Sequence, residues 1–414
     1  MEYGCIGATL AHSFSKEIHA RLADYGYELT EVSPADLPDF LRRADFHAIN
    51  VTIPYKQSVI PYLSALSPEA KRIGAVNTVV NRDGRLLGYN TDFFGILSAM
   101  KRMGFPSLKG KKVLILGTGG TSLTATAVAE HLSAAEIVRV SRTQKEGAVT
   151  YAEAKEKHAD AQILFNASPS GMYPNAEDAP LLSLADFPSL EGVFDAVYNP
   201  LRTRLILEAE ARGVAAIGGL YMLVAQAFRA AEIFLDTALS PERQEETYLS
   251  LLKEKENVVL IGMPACGKTT VGRALAERLE RRFVDLDVLI TERAGQSIPD
   301  IFAKLGETAF RDAESEAIAS PSAENGLVIA TGGGAVLREE NVRRLKQNGR
   351  LYFLDRPAAL LTPTADRPTA STREAVLRLY TERYPIYTAA ADCVIPCEGS
   401  VEETVRLLER SLSL

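Results

Sequence analysis

The chain has 414 residues, more than one hydrophobic core serves, which predicts two or three domains. A net charge of −7 and a pI near 5.5, with no block of like charge, exclude a nucleic-acid footprint and point to small-molecule ligands. The four scattered cysteines (Cys5, Cys266, Cys393 and Cys397) exclude a disulfide framework and fit a reducing cytoplasm; Cys393 and Cys397 could suggest a metal pair, but no His or further Cys lies nearby at ligand spacing, so no zinc site is expected. The most apolar stretch, 214–228, is short and broken by Gly218, Gly219 and Gln226, so it reads as a buried helix and not as a membrane span. Whether the chain forms a homo-oligomer is left open.

The first 104 residues carry short strands at 47–53 and 76–81 and read as a separate α/β lobe. Four polar motifs punctuate it: AHSFS (11–15), NVTIPYK (50–56), GAVNTV (74–79) and GYNTD (88–92). Taken singly, each Ser, Thr or Asn is as readily a turn or cap residue. Together Ser13, Ser15, Thr52, Asn77 and Asn90 suit a small polyhydroxylated ligand, while Lys56 and Asp92 offer a charge pair able to transfer a proton.

At 112–132, KVLILGTGGTSLTATAVAEHL reads as strand, glycine turn and helix, the pattern of a parallel sheet buried on both faces. Gly117, Thr118, Gly119, Gly120 and Thr121 let the backbone approach a pyrophosphate at the helix N-terminus. Ser122 stands where the dinucleotide fingerprint has Gly or Ala, and the turn alone also fits a plain βα connection. The following strand ends in Ser141, Arg142 and Thr143, where an NAD-binding chain carries Asp or Glu. An arginine there pairs with a 2′-phosphate, which favours NADP.

Residues 240–257, SPERQEETYLSLLKEKEN, are highly charged and read as a short helix and linker between independent domains. Beyond them NVVLIGMPACGKTTVGRALAERL (257–279) holds G-x-x-x-x-G-K-[ST] between a strand and a helix, a phosphate-binding loop with Lys268 for the β and γ phosphates and Thr269 for Mg²⁺. The loop does not name the acceptor; adenylate and gluconate kinases begin similarly. FVDLDVLI puts Asp285 and Asp287 on alternate positions of a strand end, one for a metal-bound water and one for a substrate hydroxyl. Arg311 and Arg383, with the turn Gly332, Gly333 and Gly334, suit a substrate that carries a carboxylate.

The four polar motifs in this order, followed by the glycine turn, NASPSGM (166–172), VYNP (197–200) and GGLYMLVAQA (218–227), resemble shikimate dehydrogenases over 1–240. The resemblance implies that Ser13, Ser15, Thr52, Asn77, Asp92, Tyr198 and Gln226 hold shikimate, that Lys56 and Asp92 form the catalytic pair, and that Val197 and Gly219 lie near the nicotinamide. The remaining cofactor contacts are then Gly117, Thr118, Gly119, Gly120 and Thr121 with Ser141, Arg142 and Thr143. Residues 256–414 resemble shikimate kinases. That likeness implies Asp287, Arg311, Gly333 and Arg383 around shikimate, Asp285 with Thr269 at Mg²⁺, and Ala265, Cys266, Gly267, Lys268, Thr269, Thr270 and the lid residue Arg367 around ATP.

The expected fold is α/β: a two-lobed dehydrogenase with a Rossmann-like NADP domain, followed by a P-loop kinase domain with a parallel sheet. The boundaries are 1–104 for the shikimate lobe, completed by helices at about 220–240, then 105–219 for the NADP domain, 241–256 for the linker and 257–414 for the kinase. The expected function is NADPH-dependent reduction of 3-dehydroshikimate and ATP-dependent phosphorylation of the resulting shikimate to 3-phosphoshikimate. Two readings compete: an NAD-linked quinate dehydrogenase joined to another kinase, or one half silent and regulatory. Departures from the family patterns are Thr9, Lys16, Phe93 and Tyr221 in the first half, with Ala265 and a short lid in the second.

Overall fold

The structure, a computed structural model, describes residues 1–10, 13–178, 180–363 and 372–412. Its first unit, Met1–Leu251, holds two six-stranded sheets. The first sheet comprises β1 (Tyr3–Gly7), β2 (Tyr27–Glu31), β3 (Ala48–Val51), β4 (Ala65–Leu66), β5 (Thr78–Arg82) and β6 (Arg85–Tyr89) in the order β2-β1-β3-β5-β6-β4. The pairs β3/β5 and β5/β6 are antiparallel and the rest parallel.

The second sheet, wholly parallel, comprises β7 (Lys112–Leu116), β8 (Glu136–Ser141), β9 (Val149–Thr150), β10 (Ile163–Asn166), β11 (Gly192–Asp195) and β12 (Ala215–Ile217), ordered β12-β11-β10-β7-β8-β9. Its central strand explains the unbroken apolar run read from the sequence: Val113 and Ile115 enter one core, Leu114 and Leu116 the other. Because the chain leaves β7 toward β8 and later returns to β10 on the other side, the carboxyl ends of β7 and β10 bound a topological switch point, the place where such sheets take a ligand.

Two helices tie the lobes. Asp92–Arg102 begins just after β6 of the first sheet and buries Ile96, Ala99 and Met100 in the core of the second. Gly219–Leu235 sends Ala230 and Phe234 back onto the first sheet, against Cys5, Tyr27, Ala48 and Val80. The stretch 214–228 is therefore not one helix: Gly218 separates β12 from the helix, and a Cβ there would lie 2.8 Å from the Leu201 carbonyl.

The charged segment is a continuous helix, Pro241–Lys255. Arg243 donates to the Leu22 carbonyl (2.8 Å), Glu245 pairs with Arg102 (2.6 Å) and Tyr248 meets Tyr221 edge-on at 5.0 Å. Its first three turns thus belong to the first unit, and the unit boundary falls after Leu251. Two departures find their partners here and nearby. Tyr221 accepts from Gln244 at 3.0 Å, and Phe93 packs between Arg72 and His131, so both side chains are engaged in packing.

The second unit, Leu252–Leu414, holds one parallel sheet: β13 (Asn257–Ile261), β14 (Phe283–Asp285), β15 (Val328–Ala330), β16 (Gly349–Asp355) and β17 (Cys393–Pro396), ordered β14-β15-β13-β16-β17. All five residues of the central β13 are buried, which its sequence NVVLI permits because Asn257 satisfies its amide by donating to the Glu324 carbonyl and accepting from Leu327 N–H. No described helix is long and apolar enough to cross a membrane.

Candidate active sites

In the first unit, Lys56 lies in the turns after β3 and Asp92 opens its helix. Lys56 Nζ donates to Asp92 Oδ2 at 2.6 Å, with the side chains only 16% and 7% exposed. Asn77 Nδ2 donates to the other carboxylate oxygen at 2.9 Å and to Thr91 Oγ1 at 3.0 Å, while Asn77 Oδ1 accepts from Thr91 N–H at 2.7 Å. Gln226 Oε1 joins this web, 3.4 Å from Asn77 Nδ2 and 3.3 Å from Thr91 Oγ1. The structure therefore gathers Lys56, Asn77, Asp92 and Gln226, and adds Thr91, which the sequence reading passed over inside GYNTD. Asn90 is different: it donates to the Ala75 carbonyl (3.0 Å) and accepts from Phe93 N–H (3.1 Å), so it fixes the turn and is not a ligand candidate.

Ser13 and Ser15 place their hydroxyls 3.1 Å apart at the start of the helix Ser15–Leu22. Thr52 N–H donates to the Ile6 carbonyl at 3.0 Å, which fixes Thr52 at the end of β3. Tyr198 tilts against Phe14 at 5.4 Å, and burial pushes its phenol up to about 12.

Beside Lys56 opens a cleft of about 870 Å³, lined among others by Gly117, Thr118, Gly119, Gly120, Thr121, Ser141, Arg142, Thr143 and Lys145. Gly117 has φ +112, and a Cβ there would press on the Ala167 carbonyl across the switch point at 3.0 Å. Ser122 is explained: its hydroxyl donates to the Gly117 carbonyl at 2.7 Å, so a small polar residue closes the turn that Gly or Ala would leave unbonded. A Cβ at Gly119 would meet no atom within 4 Å, and the helix Gly120–His131 starts there, which leaves a phosphate room to reach a helix N-terminus. No carboxylate among the described residues pairs with the exposed Arg142. Lys145, missed in the sequence, reaches Thr118 Oγ1 (3.1 Å) and adds a second cation to the same wall. Val197 and Gly219 are both buried and joined, Gly219 N–H donating to the Val197 carbonyl at 2.9 Å.

In the second unit, β13 runs into Gly262 (φ +148), where a Cβ would lie 2.9 Å from both Cys266 Sγ and the Leu354 carbonyl. Ala265 follows at φ +62, a left-handed conformation that a residue with a Cβ seldom takes. Cys266 is buried beneath the loop, Gly267 caps the helix Lys268–Leu279, and Thr269 and Thr270 are exposed in its first turn. Lys268 Nζ turns back on the loop, donating to the carbonyls of Gly262 (2.9 Å) and Met263 (3.0 Å).

Thr269 Oγ1 donates to Asp285 Oδ2 at 2.7 Å, and Asp285 Oδ1 accepts from Asp287 N–H at 3.0 Å. Asp285 does end the strand, as read, whereas the strand placement of Asp287 is corrected. β14 stops at Asp285 because that side chain caps the helix Leu286–Ala294, and Asp287 sits in the first helical turn. A cleft of about 390 Å³ is lined by Thr269, Asp285, Asp287, Arg311, Glu314 and Arg383, by the three glycines 332–334, and by the rings of Phe302 and Phe310. Arg311 follows the kink at Gly306 (φ +83) and donates to Glu314 Oε2 (2.8 Å) and Glu307 Oε1 (3.1 Å). Burial raises the Glu314 acid while Arg311 pulls it back. Arg383 donates to the Gly333 carbonyl at 2.8 Å. Arg367 lies outside the described residues.

Residues 5–79 match the family model of the shikimate dehydrogenase substrate binding domain. The shikimate dehydrogenase (NADP(+)) of Symbiobacterium thermophilum is 36% identical over 253 residues, which are 54% of this chain and 85% of that protein. The chain belongs to the shikimate dehydrogenase family. Its second unit goes further, since residues 264–412 match the shikimate kinase family model, and the chain is a bifunctional fusion of oxidoreductase and phosphotransferase. The shikimate dehydrogenase (NADP(+)) of Geobacillus kaustophilus is 38% identical over 246 residues, 54% of this chain and 88% of that protein. Among solved structures, shikimate 5-dehydrogenase of Thermus thermophilus in complex with NADP(H) and shikimate superposes with a TM-score of 0.54 at 33% identity, covering 60% of this chain and 98% of that one. A chorismate mutase/shikimate 5-dehydrogenase fusion from Clostridium acetobutylicum gives 0.57 at 29% identity, covering 60% and 96%. The Rossmann-like and P-loop expectations hold, and the fold class stands as read.

Proposed function

We propose that the first unit interconverts 3-dehydroshikimate and shikimate with Lys56 as the proton donor and acceptor, and that the second unit phosphorylates the same shikimate. The observation that carries the reading is the 2.6 Å pair of Lys56 Nζ and Asp92 Oδ2, beside a glycine turn in one unit, in a chain whose other unit sets Asp287, Arg311 and Arg383 around one cleft. Ser13, Ser15, Thr52, Asn77, Tyr198 and Gln226 supply hydroxyl and amide groups for the substrate, and Arg142 with Lys145 supports NADP over NAD. When bound, NADPH supplies the hydride to the keto carbon. As negative charge grows on the keto oxygen, the Lys56 ammonium donates its proton there, and Asp92 holds the ammonium in line and stabilises it. In the reverse direction neutral Lys56 takes the proton from the hydroxyl.

In the second unit Lys268 exchanges the Gly262 and Met263 carbonyls for phosphate oxygens of ATP. Thr269 and Asp285 present a hydroxyl and a carboxylate 2.7 Å apart, hard oxygen donors suited to Mg²⁺, which when bound neutralises phosphate charge. Asp287 orients the shikimate hydroxyl and accepts its proton, while Arg311 and Arg383 take the carboxylate. Four free thiols support a cytoplasmic location. The test is a coupled assay with 3-dehydroshikimate, NADPH, ATP and Mg²⁺: 3-phosphoshikimate should accumulate and NADPH should fall in step. Accumulation of shikimate without its phosphate would remove the kinase half of the reading, and faster NADPH formation from quinate than from shikimate in reverse would remove the substrate assignment.

A further inference from the structure

The neighbouring parallel strands β10 and β11 end in register on Asn166 and Asp195, both buried. Asp195 is wholly enclosed, and three donors converge on it. Oδ1 accepts from Asn166 Nδ2 (2.9 Å) and Val197 N–H (2.9 Å), and Oδ2 accepts from Thr203 Oγ1 (2.6 Å). Each donor anchors a different piece of chain. Asn166 also donates to the Ser170 carbonyl (3.1 Å) and accepts from the Ser168 amide (3.1 Å) and hydroxyl (2.7 Å), which shapes the loop of residues 167–175 that walls the 870 Å³ cleft. Thr203 accepts from Ile206 N–H at 3.3 Å and so caps the helix Arg204–Ala211. Val197, held by its N–H on one side, is held by its carbonyl on the other through Gly219 N–H at 2.9 Å. A Cβ at Gly219 would collide with the Ala196 carbonyl, so that approach leaves no slack.

A carboxylate sealed from water weakens a fold unless its donors do something a neutral group cannot. Burial pushes the Asp195 acid from 3.8 up to about 7 against the pull of all three donors. An apolar side chain there would strand all three donors, and an amide would offer one acceptor oxygen where the carboxyl group offers two: one acceptor centre fixes two loops and one peptide plane at once.

We propose that Asp195 is a positioning residue for hydride transfer, holding the Val197 peptide, and through it Gly219 and Tyr198, at the geometry that the nicotinamide and the substrate require. The proposal rests on the reading of Val197 and Gly219 as the nicotinamide wall.

The test uses the full chain with Asp195→Asn, Thr203→Val and Thr203→Ser. Three readouts apply: steady-state oxidation of shikimate, the primary isotope effect with deuterium at the carbon that loses hydride, and amide hydrogen exchange of residues 193–203 without cofactor. For Asp195→Asn, kcat should fall about 10- to 100-fold, as for a misplacement of order 1 Å, with KM for shikimate within about threefold. The isotope effect should rise and exchange in 193–203 should quicken. Thr203→Val should move all three readouts the same way, and Thr203→Ser should restore them. Kinase turnover on the same chain reports that the second unit is unharmed. The proposal is overturned if kcat stays within twofold of the parent, or if kcat falls while the isotope effect and exchange do not move. Should Asp195→Asn quicken exchange across the whole first unit, the Thr203 pair decides by the same criteria. A parent chain that forms no NADPH from shikimate would instead overturn the reading of the unit itself.

Discussion

The two clefts handle charge in opposite ways. In the first unit Lys56 and Asp92 neutralise each other at 2.6 Å, and the neutral Asn77, Thr91 and Gln226 surround them. In the second, Lys268 and Arg383 donate to backbone carbonyls, and among the described residues Arg311 is the one of the three in ion-pair contact with carboxylates, while Arg383 acts on Glu314 from further off. A hydride transfer to a keto carbon needs one proton at one oxygen, which a balanced pair can deliver. Transfer of a phosphoryl group brings several negative charges, and carbonyl-held cations can release to meet them without leaving a buried carboxylate unpaired.

The comparison breaks most sharply if the two sites are not independent. Lys56→Ala should lower shikimate-dependent NADPH formation by about 10²- to 10⁴-fold and leave kinase turnover within twofold, with Asp287→Ala doing the reverse. A folded variant of either kind that lost both activities would sink the two-site account. Arg311 marks where the second cleft resembles the first, because Glu314 behind it is fully buried. Arg311→Met should therefore destabilise the second unit by about 3–5 kcal/mol, since it strands that carboxylate, beyond any effect on shikimate KM. Arg311→Met,Glu314→Gln should recover most of the loss; equal thermal midpoints for the single and double variants would show that the pair is not what matters.

A third outcome concerns pH. The Asp195 acid is raised in the folded state from 3.8 to about 7, so the native first unit holds that proton more tightly than the unfolded chain. Its contribution is present below pH 3.8 and lost as pH rises toward 7. The loss is about 4 kcal/mol, since each tenfold difference in proton affinity between the two states is worth roughly 1.4 kcal/mol. Urea midpoints between pH 4.5 and 7.5 should show this slope in the parent and a flatter one in Asp195→Asn, whereas identical slopes would mean the three donors keep the acid near its ordinary value. Arg142→Ala should raise KM for NADP about 10- to 100-fold and leave KM for NAD within threefold, the loss of one charge-assisted phosphate contact. Equal effects on both cofactors would move the 2′-phosphate away from Arg142 and toward Lys145.

What the sequence disclosed depended on whether a signal was local. The runs KVLIL and NVVLI announced central strands buried on both faces because every residue in them had to be apolar or internally bonded. The glycine turns announced themselves because Gly117, Gly262 and Gly267 take positive-φ conformations that favour glycine. Lys56 and Asp92, 36 positions apart, carry no local sign of contact: their residue types suggested a charge pair, and the family likeness gave that pair its catalytic role. Asp195 escaped notice because its donors come from residues 166, 197 and 203, on separate turns of the chain. Asp287 was placed on a strand because alternation continues through FVDLD, and the capping hydrogen bond that ends β14 at Asp285 is not visible as a pattern. For 214–228, hydrophobicity outweighed Gly218, where close backbone approach breaks the chain into strand and helix.

Ala265 gives the smallest expected effect and bears on the kinase cleft alone. At φ +62 its Cβ costs about 1 kcal/mol that glycine would avoid, while glycine would add disorder to the unfolded chain. The two terms oppose, so Ala265→Gly should shift the thermal midpoint of the second unit by no more than a few degrees, upward if the left-handed strain is the larger. The alanine also narrows the conformations open to the loop before ATP arrives, so glycine should raise KM for ATP about two- to threefold with little change in kcat. A lowered KM for ATP in Ala265→Gly would reverse the argument, since it would mean that the left-handed alanine holds the loop away from its phosphate-binding shape.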